Sequence, residues 1–274
     1  MMDLWITKAR YLGAWLRTRG VDTTQVAAYR ANAPQDTFYI IGAGGTVNDL
    51  SEADIAAIEA GTSACINMAA VAPIAFDLYS LELVAHEAHY SAIATKLRAQ
   101  DKPALIWFQN RAKHETNWLA QLESEFPLFR YTRVSVSVRR KLANWQAVWQ
   151  HFVAPRVLKA PDLALGFAVT GSVARLTLLA LSLGYRRIGF VGVDLGSTPY
   201  FWLEERPLRG KPQWVDGSGV YSGVSIGAVS QTSATIVPNV TQFLASLHQT
   251  IPDLDLFTLD PAARSNLTGH LKTP

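Results

Sequence analysis

Two apolar strand ends, far apart in the chain, constrain this sequence most. Phe38-Tyr39-Ile40-Ile41 runs directly into Gly42-Ala43-Gly44-Gly45-Thr46, and Ile188-Gly189-Phe190-Val191 runs into Gly192-Val193-Asp194. Short continuous apolar runs of this kind suit parallel strands buried on both faces. In open α/β sheets, ligands collect where such strands end. Glycine there lets a backbone N–H come close to a phosphate, and a following helix start adds a favourable partial charge. The two ends together predict a nucleotide held from both sides.

Strand and helix patterns alternate around those ends. Ser51-Glu52-Ala53-Asp54 has the form of a capping box and predicts a helix over 51–60, closed by Gly61. Residues 63–67 read as a strand ending at Asn67, residues 81–99 as a long helix, and residues 104–108 as a strand followed by polar Gln109, Asn110 and Arg111. A strand at 129–137, a tryptophan-rich helix at 141–153 and a helix at 171–183 ending at Gly184 come next. After strand 188–194 the last elements are a helix near 239–249 and a strand at 254–259. This alternation predicts an α/β fold, a mostly parallel sheet with helices on both faces. The stretch from Gly196 to Pro238 is rich in Gly, Ser and aromatic residues with little periodicity, and predicts a long lid loop over 196–237. The expected organisation is an N-terminal helix and linker in residues 1–35, then a single α/β nucleotide-binding domain over 36–274.

Composition narrows the class. Of 274 residues, 49% are apolar and only 17% charged, which suits a packed globular chain. A net charge of +3 permits an anionic substrate or membrane surface and gives no argument for nucleic acid. Cys65 is the only cysteine, so no internal disulfide forms, and a reducing, cytoplasmic setting is expected. No apolar run reaches the roughly 18 residues of a spanning helix, and the first residues lack the apolar core of a secretory signal. Residues 3–19 are amphipathic, with Leu4, Trp5, Leu12, Trp15 and Leu16 on one face and Lys8, Arg10, Arg17 and Arg19 on the other. Two uses fit: packing on the domain or on a second subunit of a homo-oligomer, or peripheral contact with the inner membrane.

Known nucleotide motifs are incomplete here. A full G-x-G-x-x-G would need glycine at 47, where Val47 stands, and no acidic residue ends the second strand to hold a ribose. The Walker lysine is missing as well. What remains is a glycine turn with a carboxamide, Asn67, at the next strand end; an amide can both donate and accept, toward a ligand or toward its own turn. His86 and His89 stand three apart, against the four of a zincin helix, and Asp253-Leu254-Asp255 lies at the start of the last strand, so no metal site is expected. Asp77-Leu78-Tyr79-Ser80-Leu81-Glu82 stands at the approach to the long helix, where Ser80 or Asp77 would serve as a cap, or Asp77 and Glu82 as groups at the ligand edge.

Taken together, these segments resemble the bacterial sialyltransferases of glycosyltransferase family 42. That family has a G-x-G-P-S-L turn after its first strand, where Gly42-Ala43-Gly44-Gly45-Thr46-Val47 stands here, and an asparagine ending its second strand, matched by Asn67. Its T-S-G-V turn, a helix ending G-Y-K-E-I and a strand ending G-I-D-F are matched by Thr170-Gly171-Ser172-Val173, Gly184-Tyr185-Arg186-Arg187-Ile188 and Gly192-Val193-Asp194-Leu195. The match is close over residues 165–195 and weaker over 37–110. The resemblance implies a Rossmann-like, GT-A-related domain with a mobile lid. It also implies a CMP-sugar donor as co-substrate, with no other cofactor, and inverting transfer without metal to a glycan or lipid-linked saccharide acceptor. On that basis Gly42, Ala43, Gly44, Gly45, Thr46, Asn67, Asn110, Thr170, Gly171, Ser172, Asp194 and Tyr200 would surround the nucleotide, with Tyr200 at its phosphate. A departing phosphate monoester can be stabilised by tyrosine hydroxyls and backbone N–H groups.

The chain departs from the family at its general base. A histidine is expected late in the lid, in a stretch like S-H-Y-I-G-H-S, but Gly219-Val220-Tyr221-Ser222-Gly223-Val224-Ser225 carries valine at both histidine positions. Ala168 replaces the arginine before the T-S-G turn. Asp77, Glu82 and Asp216 are the candidate replacement bases, Asp77 and Glu82 being preferred, because a carboxylate with a raised pKa can take the acceptor proton. Two other functions stay open: a pterin pyrophosphokinase-like enzyme using Mg-ATP, and a non-catalytic nucleotide-sugar binder.

Overall fold

Strand β1, Thr37–Ile41, is buried along its whole length, and the sheet is built outward from it. The computed structural model describes residues 37–81, 87–101, 104–108, 121–122, 124–126, 133–136, 146, 149–150, 154–155, 164–167, 172–195, 198–204, 240–268 and 271. The chain divides into two compact units, one of Met1–Asp36, Arg130–Ile188 and Val229–Asp255, the other of Thr37–Phe129, Gly189–Ala228 and Leu256–Pro274.

The second of these units is centred on a six-stranded sheet. Its strands are β1, β2 (Thr62–Ile66), β3 (Leu78–Leu81), β4 (Leu105–Phe108), β7 (Arg187–Val191) and β8 (Asp255–Leu259), in the order β4-β3-β2-β1-β7-β8. β1 with β2, β2 with β3 and β3 with β4 are parallel, in registers such as Ile40↔Ala64, Cys65↔Tyr79 and Tyr79↔Ile106. The fold is thus α/β with a mostly parallel sheet, as the alternation of patterns predicts. Helix α1 (Glu52–Ala60) joins β1 to β2, and its start is the expected capping box: the Ser51 hydroxyl oxygen accepts the Asp54 N–H while Asp54 accepts the Ser51 N–H. Buried Ile55 and Ile58 are its core-facing residues. Helix α2 (Glu87–Ala99) lies between β3 and β4 in the chain.

The sequence reading differs from the structure at β3. Residues 78–81 form a strand that the reading did not single out, and Leu81, expected to start the long helix, ends that strand; the described part of the helix is Glu87–Ala99. Between β2 and β3 the connection is a 3-10 helix, Asn67–Val71, packed beneath α2. A glycine of β7, Gly189, fits between two rings: a Cβ there would lie 2.7 Å from the Phe257 ring and 2.9 Å from that of Tyr39, which meet edge to face. Cys65 is fully buried, and burial pushes its thiol pKa up, as expected of an inert core cysteine.

The other unit contains a parallel pair, β5 (Arg133–Val136) with β6 (Ala164–Phe167), and helices α3 (Ser172–Ser182) and α4 (Val240–Thr250). β6 is a strand that the apolar pattern did not single out. α3 is buried over most of its surface, and it ends as read, at Gly184, which takes a left-handed φ of 100°. Its N–H bonds the Leu181 carbonyl and that of Tyr185 bonds Ala180, closing the helix with a Schellman pattern. Trp149 packs edge to face on Phe243 and donates its indole N–H to Thr250 Oγ1. Residues 3–19, the segment 205–239 that makes up most of the expected lid, and nearly all of the expected helix 141–153 lie outside the described residues. Among those described, no helix is long and apolar enough to cross a membrane.

Candidate functional site

The sheet reverses its direction of build between β1 and β7, the place where open α/β sheets put their ligand crevice. Gly42–Thr46 leaves β1 there and Gly192–Asp194 leaves β7. Their backbones meet directly: Gly42 N–H donates to the Val191 carbonyl at 2.7 Å and Gly44 N–H to Gly192 at 2.8 Å. A Cβ on Gly42 would press on the Gly192 carbonyl, so glycine is needed for the two chain ends to close. Gly192 itself has φ 61°, and any side chain would run into Val47.

The glycine turn packs closely on two of the chain's own carboxylates, Asp194 and Glu204. Asp194, only 4% exposed, accepts the Thr46 N–H at 3.0 Å and the Thr46 hydroxyl at 2.5 Å. The Thr198 hydroxyl donates to the same carboxylate while accepting the Gly45 N–H at 2.8 Å. A Cβ on Gly44 would collide with Asp194, and one on Gly45 with Glu204. The glycines thus serve an internal anion, and the amides of Gly42, Gly44, Gly45 and Thr46 are all engaged within the protein. Burial pushes the Asp194 carboxyl pKa up, and the nearby charge of Asp260 adds to this, while hydrogen bonds from Thr198 and Thr46 partly offset it.

Tyr200 does stand at this turn. It forms an isolated antiparallel bridge with Gly44, and the next N–H, of Phe201, donates to the Ala43 carbonyl at 3.0 Å. Its ring stacks flat on Trp202, centroids 4.7 Å apart and planes 11° apart. Asn67 follows β2 at the same edge of the sheet and adopts φ 47°, a left-handed conformation that asparagine tolerates. Its place at the edge matches the expectation, and its backbone turns the chain into the 3-10 helix.

Asp77 is elsewhere. Its N–H donates to the Ser63 carbonyl at 3.0 Å and its carboxylate accepts the Ser63 N–H at 2.7 Å, which fixes it at the amino edge, beside the start of β2. The four residues of β3 separate it from the carboxyl edge, about 13 Å at the rise of a strand. The expectation that Asp77 sits at the ligand edge took 77–82 as a segment leaving the sheet, where a strand, β3, in fact begins, and it is corrected. Ser172 opens α3 and is buried. Glu82, Asn110, Thr170 and Gly171 lie outside the described residues, as do His86 and Asp216.

Residues that motif reading passed over complete the site's frame. Arg264, in the loop after β8, donates Nε to Asp49 at 2.7 Å, Nη1 to Glu204 at 2.6 Å and Nη2 to the Gly45 carbonyl at 2.8 Å. Asn48 Nδ2 adds bonds to Glu204 and to the Phe201 carbonyl. Burial pushes the Glu204 carboxyl up, but the Arg264 and Asn48 hydrogen bonds and the Arg264 charge outweigh it and hold the pKa below its ordinary value. The guanidinium is in turn held protonated, chiefly by Glu204. Behind it, buried Asp260 accepts the N–H groups of Arg264 and Ser265 and the Thr268 hydroxyl, and Ser265 Oγ donates to the Val193 carbonyl at 2.9 Å. The signal that would have pointed here is positional: Asp260 ends a strand of the same sheet, as Asn67 and Asp194 do. Among the described residues, no group of three or more His, Cys, Asp or Glu side chains is placed to hold a metal ion.

No family profile matches the sequence, and no curated protein matches it. Solved structures with a similar chain path include the sialyltransferase CstII from Campylobacter jejuni in complex with cytidine-5'-monophosphate, at 12% identity over 86% of this chain and 84% of that one, with a TM-score of 0.41. A second is monomeric CstII, at 12% identity, 87% and 86% coverage and a TM-score of 0.45. A third is CstII from the same organism with CMP-3FNeuAc, at 15% identity, 86% and 85% coverage and a TM-score of 0.44.

Proposed function

We propose that this chain is a glycosyltransferase that moves sialic acid or a related acidic sugar from a CMP-sugar to a glycan or lipid-linked saccharide, with inversion and without a metal. The order of its glycine turn, Asn67, Thr170-Gly171-Ser172 and Gly192-Val193-Asp194 supports this reading. One geometric observation carries it: the Tyr200–Gly44 bridge seats an aromatic segment on the glycine turn at the sheet's switch point. The donor would lie across the outer side of Ala43 and Gly44, with Asn67 toward its sugar or base and the Tyr200 hydroxyl toward its phosphate. Asp194 has a supporting task in this scheme, holding the turn in shape from inside. Glu82 and Asp216 are the carboxylates left to propose as general base, Glu82 being preferred, since Asp77 belongs to the other edge.

That shift of Asp77 favours a second reading, a CMP-sugar binder that does not turn its ligand over. Incubation with CMP-sialic acid and saccharide acceptors, read as CMP release and product mass, separates the two. Transfer supports the enzyme; CMP binding without turnover supports the binder. A thermal shift with Mg-ATP and none with CMP would instead select the pyrophosphokinase-like alternative and overturn the proposal.

A further inference from the structure

We propose that Arg264 is a positioning residue, a three-way clamp that holds the Tyr200–Glu204 segment against the glycine turn and so sets where Tyr200 stands. Two pieces of chain, offering three acceptor groups, converge on its guanidinium. Gly45 presents its carbonyl from the turn, Asp49 its carboxylate from the end of the 3-10 helix Gly45–Asp49, and Glu204 its carboxylate from just beyond the helical turn Phe201–Leu203. Asp49 takes Nε and Glu204 takes Nη1, while Nη2 serves the Gly45 carbonyl and, at 3.4 Å, the second oxygen of Glu204. Only arginine offers a rigid planar fork with donors pointing to three acceptors at once; a lysine ammonium can meet the charges but not that geometry.

The segment is also held by the buried Phe201 and Trp202 rings, the Phe201 N–H bond to the Ala43 carbonyl, the Gly44 bridge and Asn48, which reaches it partly through Glu204; the guanidinium adds the charged tie at its far end. The side chains of Arg264, Asp49 and Glu204 are 33%, 24% and 18% exposed, sheltered enough for the pairing to resist screening better than a surface ion pair. Arg264 is itself fixed through its backbone, because Asp260 accepts its N–H and the neighbouring Ser265 is bonded to Val193 and Asp260. The clamp is therefore anchored to the end of β7, the strand that also supplies Asp194. Its consequence for CMP binding rests on the proposed function, whereas its effect on local backbone protection does not.

Hydrogen exchange read on peptides covering 198–204 and 42–47, with CMP titration calorimetry on the same full-length proteins, tests this. In Arg264→Gln, exchange at Phe201 and Gly45 is expected to speed up by about tenfold or more, with β1 and β7 amides unchanged. Arg264→Lys should fall between it and the wild type. The dissociation constant for CMP should rise about tenfold in Arg264→Gln and be partly rescued in Arg264→Lys. Unchanged exchange over 198–204 in folded Arg264→Gln overturns the clamp. Faster exchange with an unaltered CMP constant overturns the positioning role. If Arg264→Gln does not fold, Glu204→Gln keeps the other two contacts and must by itself loosen Phe201. Absence of CMP binding in the wild type counts against the proposed function alone, and exchange still decides the clamp.

Discussion

Asp194 and Thr46, from the ends of two neighbouring strands, are joined twice, the carboxylate accepting both the amide N–H and the hydroxyl of the threonine. A buried acceptor with several donors is costly to remove, because each donor is left without its bond. Asp194→Ala should therefore destabilise the chain by roughly 2–4 kcal/mol. Asp194→Asn keeps one acceptor oxygen and should cost less. Urea unfolding of both variants checks the order.

Acid sensitivity has two opposing sources. Glu204 titrates below its ordinary 4.5, so its stabilising effect is complete above that value and disappears as the pH falls through its folded pKa. Asp194 titrates above its ordinary 3.8, so its effect is complete below 3.8 and disappears as the pH rises through its folded pKa. Glu204→Gln should flatten the loss of stability on acidification, and Asp194→Asn should steepen it. Urea midpoints between about pH 3 and 6 would show both slopes.

Gly192→Ala should be among the most damaging single-methyl changes in this chain. The left-handed backbone alone costs about 1–2 kcal/mol, and the new methyl meets Val47. The melting temperature should fall accordingly. Gly42→Ala, with an ordinary φ but a carbonyl in its way, should also destabilise.

Asn67 offers a clean separation of turn from ligand roles. Its φ of 47° is open to glycine as well, so in Asn67→Gly the backbone turn is kept and the change in melting temperature reads the side chain's share in the fold. If the carboxamide reads the nucleotide, CMP affinity should fall by about tenfold in the same variant. Unchanged affinity would assign Asn67 to the turn alone.

The parts of this fold that read directly from sequence are local. The Ser51 capping box and the Gly184 helix end each place donor and acceptor within a few residues, so their residue types are diagnostic. Strand ends at Ile41 and Val191 were visible because continuous apolar runs stop at glycine. β3 was not, since Leu78-Tyr79-Ser80-Leu81 is too short for a period and borders a helical pattern, and this carried Asp77 to the wrong edge. The clamp was hidden for a different reason. Arg264 meets Glu204 60 residues away and Asp49 and Gly45 215 and 219 residues away, and nothing in residue type announces such partners. The glycine turn was legible as a place of close approach; what approaches is an aspartate of the same chain.

That occupancy sets the polarity a visitor would meet. A carboxylate is already seated against the turn, bonded to the Thr46 amide and hydroxyl, with Asp260 close enough to raise its pKa. The rim at Ala43 and Gly44 is accordingly hospitable to hydroxyls and amino groups and repellent to a second negative charge. In the CMP-sugar complex proposed above, that contrast would turn the sugar or base inward and leave the phosphate toward the phenol ring.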